Sequence, residues 1–151
     1  MFFSRASNIF LGIWVVALVA TLGSLFFSEV MSFVPCSLCW YQRICMYPLL
    51  LLSSAAVFSP DNKSDKFLIL KTYFLPITVI GWLLALYHNL IHWGIIPETM
   101  SPCRQGVPCS TVYINWLGFI TIPFLSFIAF TFILGLIVLF IQQVKKGKEN
   151  G

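Results

Sequence analysis

Apolar residues run along this chain in four long blocks, separated by stretches that are polar or rich in proline. Between Arg5 and Glu29 lies an uncharged run, residues 6–28, of 23 residues. A helix rises about 1.5 Å per residue and a hydrocarbon core is about 30 Å thick, so this run is long enough to span. A cleaved leader peptide competes with that reading, but the run is too long for one and lacks a small-x-small cleavage site. The second block begins near Trp40 and ends near Phe58; Trp40 and Tyr41 suit the headgroup level, and Pro48 predicts a bend. Ser59 to Lys66 is the most polar stretch and predicts a loop. The third block continues to about Leu90, interrupted only by Pro76 and Gly81. Leu90 to Tyr113 carries three prolines and two cysteines and predicts a folded surface loop. A fourth block, Trp116 to Ile141, holds Gly118, Pro123 and Gly135.

The pattern predicts an all-α polytopic membrane protein. A single integral membrane domain would occupy residues 1–151 as a four-transmembrane-helix bundle. Its approximate spans are 7–28, 40–58, 68–90 and 116–141, with loops 29–39 and 91–115 between spans one and two and between three and four. Composition agrees, since 59% hydrophobic and 9% charged residues leave too little charge to cover a soluble surface. The net charge of +4 does not point to nucleic acid, because the lysines cluster beside apolar blocks, where they orient a membrane protein. Four spans place both termini on one side, together with seven of the nine basic residues: Arg5, Lys63, Lys66, Lys71, Lys145, Lys146 and Lys148. Only Arg43 and Arg104 fall on the other side. The positive-inside rule then makes the termini cytoplasmic and both cysteine-bearing loops extracytoplasmic.

Four of the five cysteines fall in those loops as Cys36-x2-Cys39 and Cys103-x5-Cys109, while Cys45 lies inside a span and reads as a buried core thiol. Outside the cytoplasm disulfides persist, so two structural disulfides, or one joining the loops, are the plainest reading. A four-thiolate metal site is a second, weakened by the loose second pair and by the lack of a sequence-adjacent His or Asp. The third is redox chemistry. A helix N-terminus and a nearby cation both lower a thiol's pKa, and Arg43 stands four residues after Cys39, one helical turn on. Arg43 also reads as an interfacial anchor that snorkels to the headgroups. Forming a disulfide releases two electrons, and no Gly-rich dinucleotide turn is present to hold flavin or nicotinamide. An acceptor that arrives from lipid is a quinone, held in an apolar site with a few polar groups. Arg43 and either His88 or His92 are candidates for those groups, although a membrane histidine also serves as a helix–helix hydrogen-bonding residue.

The run Cys36-Ser37-Leu38-Cys39-Trp40-Tyr41-Gln42-Arg43 resembles the DsbB family of membrane disulfide-forming enzymes, in its short-loop, BdbC-like branch. Tyr87-His88, Cys103 to Cys109, and Trp116 to Pro123 add to the resemblance, which covers nearly the whole chain. It implies a thiol:quinone oxidoreductase of the bacterial cytoplasmic membrane that reoxidises a DsbA/BdbD-like thioredoxin-fold dithiol oxidase. Electrons would pass to a membrane quinone, menaquinone or ubiquinone. Carried over by position, Cys39 is the sulfur beside the quinone and Cys36 its disulfide partner. Cys103 takes the mixed disulfide with the oxidase, Cys109 relays to Cys36, and Arg43 and His88 address the quinone. The redox-active disulfides implied are Cys36–Cys39 and Cys103–Cys109. Long-loop members space the second pair more widely, so the route from Cys109 to Cys36 stays open here. His92 and Cys45 receive no role. Two other functions compete: a vitamin-K-epoxide-reductase-like enzyme, whose redox motif ends a late span rather than opening the second, and a non-enzymatic tetraspan protein with structural disulfides.

Overall fold

The computed structural model describes residues 5–59, 63–97, 102–103, 108–109 and 121–149. Residues 60–62 of the expected Ser59–Lys66 loop, Arg104 and the expected start of the fourth span at 116–120 lie outside the described residues, while Lys63 to Lys66, expected in that loop, are instead the first turn of a helix. Every regular element among the described residues is helical: α1 (Arg5–Leu25), α2 (Ser37–Phe58), α3 (Lys63–Ile69), α4 (Leu75–His92) and α5 (Ile122–Glu149). Two wider, π-helical turns join this set, Phe26–Val30 extending α1 and Leu70–Phe74 making α3 and α4 one continuous rod. The second of these turns lies just before Pro76, whose ring and missing N–H disturb the ladder of an ordinary helix.

Three helical segments are long and apolar enough to cross a membrane: Ser7–Val30, Asp65–His92 and Ile122–Lys146. Their outer faces are apolar too. On α1, Leu11, Val15, Val19 and Leu22 are exposed at three- and four-residue spacing, a stripe that in water would have no partner. α2 has the length, 22 residues, but buries Gln42 and Arg43 in its first turns.

α1 packs against α2 and α5, and α4 packs against the same two helices, so the four stand around a shared core. Near the N-terminal end of α1 the core is aromatic. Phe10 meets Phe74 and Phe140 edge to face, at centroid distances of 5.6 and 5.9 Å. The Lys66 ammonium lies 5.9 Å from the centroid of the Phe10 ring. Trp14 donates from Nε1 to Ser54 Oγ at 2.7 Å and ties α1 to α2. A smaller cluster of Cys36, Leu38, Ile91, Cys103 and Cys109 packs at the opposite end. The aromatic end holds the bundle together and leaves this end to hold the sulfurs.

Where α4 meets α5, Gly81 is required by contact, since a Cβ there would run into the ring of Phe130, which is wholly buried. Gly81→Ala is therefore expected to destabilise the protein by about 1–3 kcal/mol through overpacking, read as a lowered unfolding midpoint in detergent. Gly135→Ala, where a Cβ meets nothing within 4 Å, is the matched control and should leave the midpoint unchanged or raise it.

Candidate active site

The site starts from how α2 begins. Pro35 cannot continue a preceding helix, and Cys36 follows with extended backbone (φ −71°, ψ 169°) as the N-cap. Its sulfur accepts the Cys39 backbone N–H at 3.3 Å, the part a serine or aspartate oxygen commonly plays. This cap turns the Cys-x2-Cys spacing into proximity: Cys36 and Cys39 Sγ stand 2.9 Å apart. Cys103 and Cys109 are joined as a disulfide, and both are buried. The Sγ atoms of Cys36, Cys103 and Cys109 all lie within 4.8 Å of one another. All four loop sulfurs are thus gathered at one end of the bundle, with Cys36 next to both pairs. The short spacing of the second pair does not keep it away.

His88, near the C-terminal end of α4, reaches into the same cluster and is almost wholly buried. Its Nδ1 lies 3.1 Å from Gln42 Nε2, and its Nε2 lies 3.2 Å from the Cys109 carbonyl oxygen and 3.8 Å from Cys36 Sγ. One proton arrangement fits all three contacts: the Gln42 amide donates to Nδ1, leaving the ring proton on Nε2 facing the carbonyl and the sulfur. Asn89, the next residue, donates to Ala85 O and to Pro123 O, and so fixes α4 against the start of α5. The imidazole is thereby held in place from both sides.

Arg43 is also buried, but its guanidinium turns toward α1. Nε donates to Ser24 Oγ at 2.7 Å, Nη2 donates to the Ser24 carbonyl at 2.9 Å, and the group lies 5.4 Å from the centroid of the Trp40 ring. The helical spacing from Cys39 therefore does not translate into a dedicated arginine–sulfur pair. Among the reduced sulfurs the charge resides on Cys36. The hydrogen bond from Cys39, aided by the His88 ring and opposed by burial, draws the Cys36 thiol from 9.0 down to about 4. With a lowered pKa the reactive thiolate persists as pH falls until about 4. Reduced protein should then show a Cys36 alkylation rate that is nearly flat from pH 8 to pH 5. An ordinary thiol loses about tenfold per pH step below its pKa. Iodoacetamide labelling mapped by mass spectrometry reads this directly.

A cavity of about 510 Å³ opens beside the pair, lined by Cys36, Cys39, Gln42, Arg43, His88 and Cys109, with an apolar wall from α1, Met46 and α5. Two further lining residues, Thr21 and Thr121, have buried hydroxyls that meet no hydrogen-bond partner among the described residues. His92 lines the cavity too, its ring centroid 6.4 Å from that of His88. Cys45 lies apart from this group, half-buried against the main core. Cys36, Cys39 and His88 offer three ligand atoms within 4.8 Å of one another, as do Cys36, Cys103 and Cys109, the last two of which are joined here as a disulfide.

Four contributors do not stand out in sequence: Thr21 and Ser24 lie in an apolar run, Thr121 opens another, and Gln42 is one residue of the cysteine motif. The signal available for Gln42 was an amide placed in the buried start of a membrane-length helix, where it needs a partner.

Comparison with known proteins identifies the family. Residues 5–140 match the family model described as disulfide bond formation protein DsbB. The chain is 49% identical over 137 residues to disulfide bond formation protein C of Bacillus subtilis (strain 168), covering 91% of this chain and 92% of that one. It is 44% identical over 143 residues to a probable disulfide formation protein of Oceanobacillus iheyensis, covering 92% of each. No solved structure matches. With the match running through every described helix and both cysteine pairs, the chain belongs to the family of disulfide bond formation protein DsbB.

Proposed function

We propose that the protein is a thiol:quinone oxidoreductase that reoxidises an extracytoplasmic dithiol oxidase of the thioredoxin fold and so sustains disulfide formation in exported proteins. The observation that carries this reading is Cys36, whose sulfur lies 2.9 Å from Cys39 on one side and within 4.8 Å of Cys103 and Cys109 on the other. A structural staple needs no third sulfur in exchange range. The proposed setting is a multi-pass protein of the bacterial cell membrane, with α2 as a further span beside the three apolar segments, cytoplasmic termini and outward cysteines. The exposed apolar stripes and the clustering of seven basic residues on one side support that topology.

The thiol steps are those the family resemblance implies, and the closeness of Cys36 to Cys103 and Cys109 supports them. A thiolate of the reduced partner attacks Cys103, the Cys103–Cys109 bond breaks, and Cys109 leaves as a thiolate. The partner's second thiolate then attacks its own mixed disulfide, which releases the oxidised partner and leaves Cys103 reduced. The Cys109 thiolate attacks Cys36 of the Cys36–Cys39 disulfide, forming Cys36–Cys109 and expelling Cys39 as a thiolate. Cys103 closes on Cys109, restoring the outer disulfide and leaving both Cys36 and Cys39 reduced. The proton balance of the pair changes along this path. While Cys36 is bonded to Cys109 it cannot hold charge, and Cys39 becomes the sole thiolate at the helix start.

The cavity fits the head group of a quinone, menaquinone or ubiquinone. Its volume lies in the range of small-ligand sites, its walls are apolar, and it is lined by two buried threonine hydroxyls with no partner among the described residues and by the Arg43 guanidinium. A bound quinone supplies the acceptor for two electrons and two protons. Arg43 stabilises negative charge at the cavity, Thr21 and Thr121 orient carbonyl oxygens, and His88 forms part of the wall nearest the sulfurs. The test uses purified protein in detergent, a reduced thioredoxin-fold oxidase and a soluble quinone, following quinone absorbance. Stoichiometric loss of oxidised quinone with partner oxidation supports the reading; partner oxidation without quinone loss overturns it.

A further inference from the structure

We infer that Gln42 is a positioning residue for sulfur exchange: it sets the proton of His88 so that the ring pins Cys109 against Cys36. This rests on the relay of electrons proposed above. Gln42 is buried on the inner face of α2, one turn beyond Leu38, and its amide meets His88 Nδ1 at 3.1 Å across the α2–α4 seam. The amide nitrogen can only donate, so Nδ1 is used as an acceptor and the neutral ring carries its proton on Nε2. That N–H has two acceptors ahead of it, the Cys109 carbonyl at 3.2 Å and Cys36 Sγ at 3.8 Å. They belong to the two residues that must bond when Cys109 attacks Cys36. The exchange is electron-neutral: one S–S bond breaks at Cys36–Cys39, one forms at Cys36–Cys109, and Cys39 departs with the electron pair.

The opposite tautomer cannot do this. A proton on Nδ1 would require the Gln42 amide to turn over and present its oxygen, and a bare Nε2 would face the lone pairs of the Cys109 carbonyl. That second contact would repel, and the outer loop would lose its hydrogen bond to α4 at the reacting residue. A short second loop has little chain with which to find Cys36, so a fixed backbone contact at Cys109 replaces a search with a preset approach.

The ionisable groups that share the cavity with the ring are Cys36, Cys39, Arg43 and Tyr47 from α2, His92 from its own helix, and Cys109 from the outer loop. α1 and α5 bring none to it among the described residues. A carboxylate at position 42 therefore gives a distinctive result. It can only accept, so it requires a proton on Nδ1, and Nε2 still donates only if the ring is doubly protonated.

The experiment isolates the exchange partners in a Cys39→Ser/Cys103→Ser background and follows Cys36–Cys109 bond formation with diamide in detergent, mapped by mass spectrometry. Gln42→Leu should slow that bond by about tenfold or more, the loss expected for one buried hydrogen bond. Gln42→Glu should form it well at pH 6 and slowly at pH 9, with a fall that the Gln42 parent does not share. A separate background, Cys36→Ser/Cys39→Ser, reports Cys103–Cys109 closure, which Gln42→Leu should leave at the parent rate. The inference is overturned if Gln42→Leu keeps the parent rate of interloop closure. It is equally overturned if Cys103–Cys109 closure falls in parallel, or if Gln42→Glu follows Gln42→Leu at every pH. No quinone enters any of these reactions, so a failure of quinone reduction and a failure of this inference are separate outcomes.

Discussion

Cys39→Ser is expected to lower dithiol-driven quinone reduction by about a thousandfold or more, because a hydroxyl neither forms the disulfide nor carries the nucleophile's charge. The loss should be specific to one half of the relay. Cys36 keeps its place within 4.8 Å of Cys103 and Cys109 but is now a lone thiol with no disulfide to reduce; its thiolate can only attack Cys109 of the outer disulfide, forming Cys36–Cys109 and expelling Cys103 as a thiolate. With no Cys39 to carry the electrons onward, the protein should stall as a species bonded between Cys36 and Cys109, or with the partner held on Cys103. Thiol trapping followed by non-reducing electrophoresis separates those forms from the fully oxidised protein. Cys45→Ala sets the baseline: that thiol packs against the core away from the cluster, and its loss should leave turnover intact. Full quinone reduction in the Cys39 variant would sink the assignment of the electron exit to this sulfur.

The parts of this site that were legible in sequence are those written in local spacing. Two cysteines three residues apart at a helix start come together because the N-cap sulfur accepts the amide of the second. That contact needs no other element. The apolar runs behind α1, α4 and α5 were legible for the same reason, since length and hydropathy alone decide whether a segment is long enough to cross. Contacts between runs were not legible. Arg43 was expected to serve Cys39 because it lies one turn on, but a guanidinium buried at a helix seam takes the nearest oxygens available, and those belong to Ser24 on α1. His88 and Gln42 are 46 residues apart, and only the packing of α4 on α2 makes them partners. The sequence likewise showed no histidine beside the cysteines, yet the fold sets one 3.8 Å from Cys36. The π-helical turns have no local code to read, apart from the proline that follows the second.

Arg43→Met is expected to raise the quinone KM by about 10–100-fold while leaving the exchange between the partner dithiol and Cys103–Cys109 at its normal rate. The magnitude is that of one or two charge-assisted hydrogen bonds, at about 1.5–3 kcal/mol, with tenfold for each 1.4 kcal/mol. Methionine keeps the length and fills the same space, so the helices stay packed and the unfolding midpoint should move little. Removing a buried charge together with its desolvation cost is often close to neutral for stability. Lysine should not restore the KM, because its single ammonium cannot reproduce the fork that grips Ser24 Oγ and the Ser24 carbonyl together. Ser24→Ala separates positioning from charge. It leaves the carbonyl contact and the cation in place but frees Nε, so its effect should be smaller than that of Arg43→Met and additive with nothing further in the double variant. Initial rates measured against quinone and against partner dithiol in turn decide the matter. A raised KM for the dithiol with an unchanged KM for quinone would move Arg43 from the cavity to the outer surface, as an anchor at the lipid headgroups.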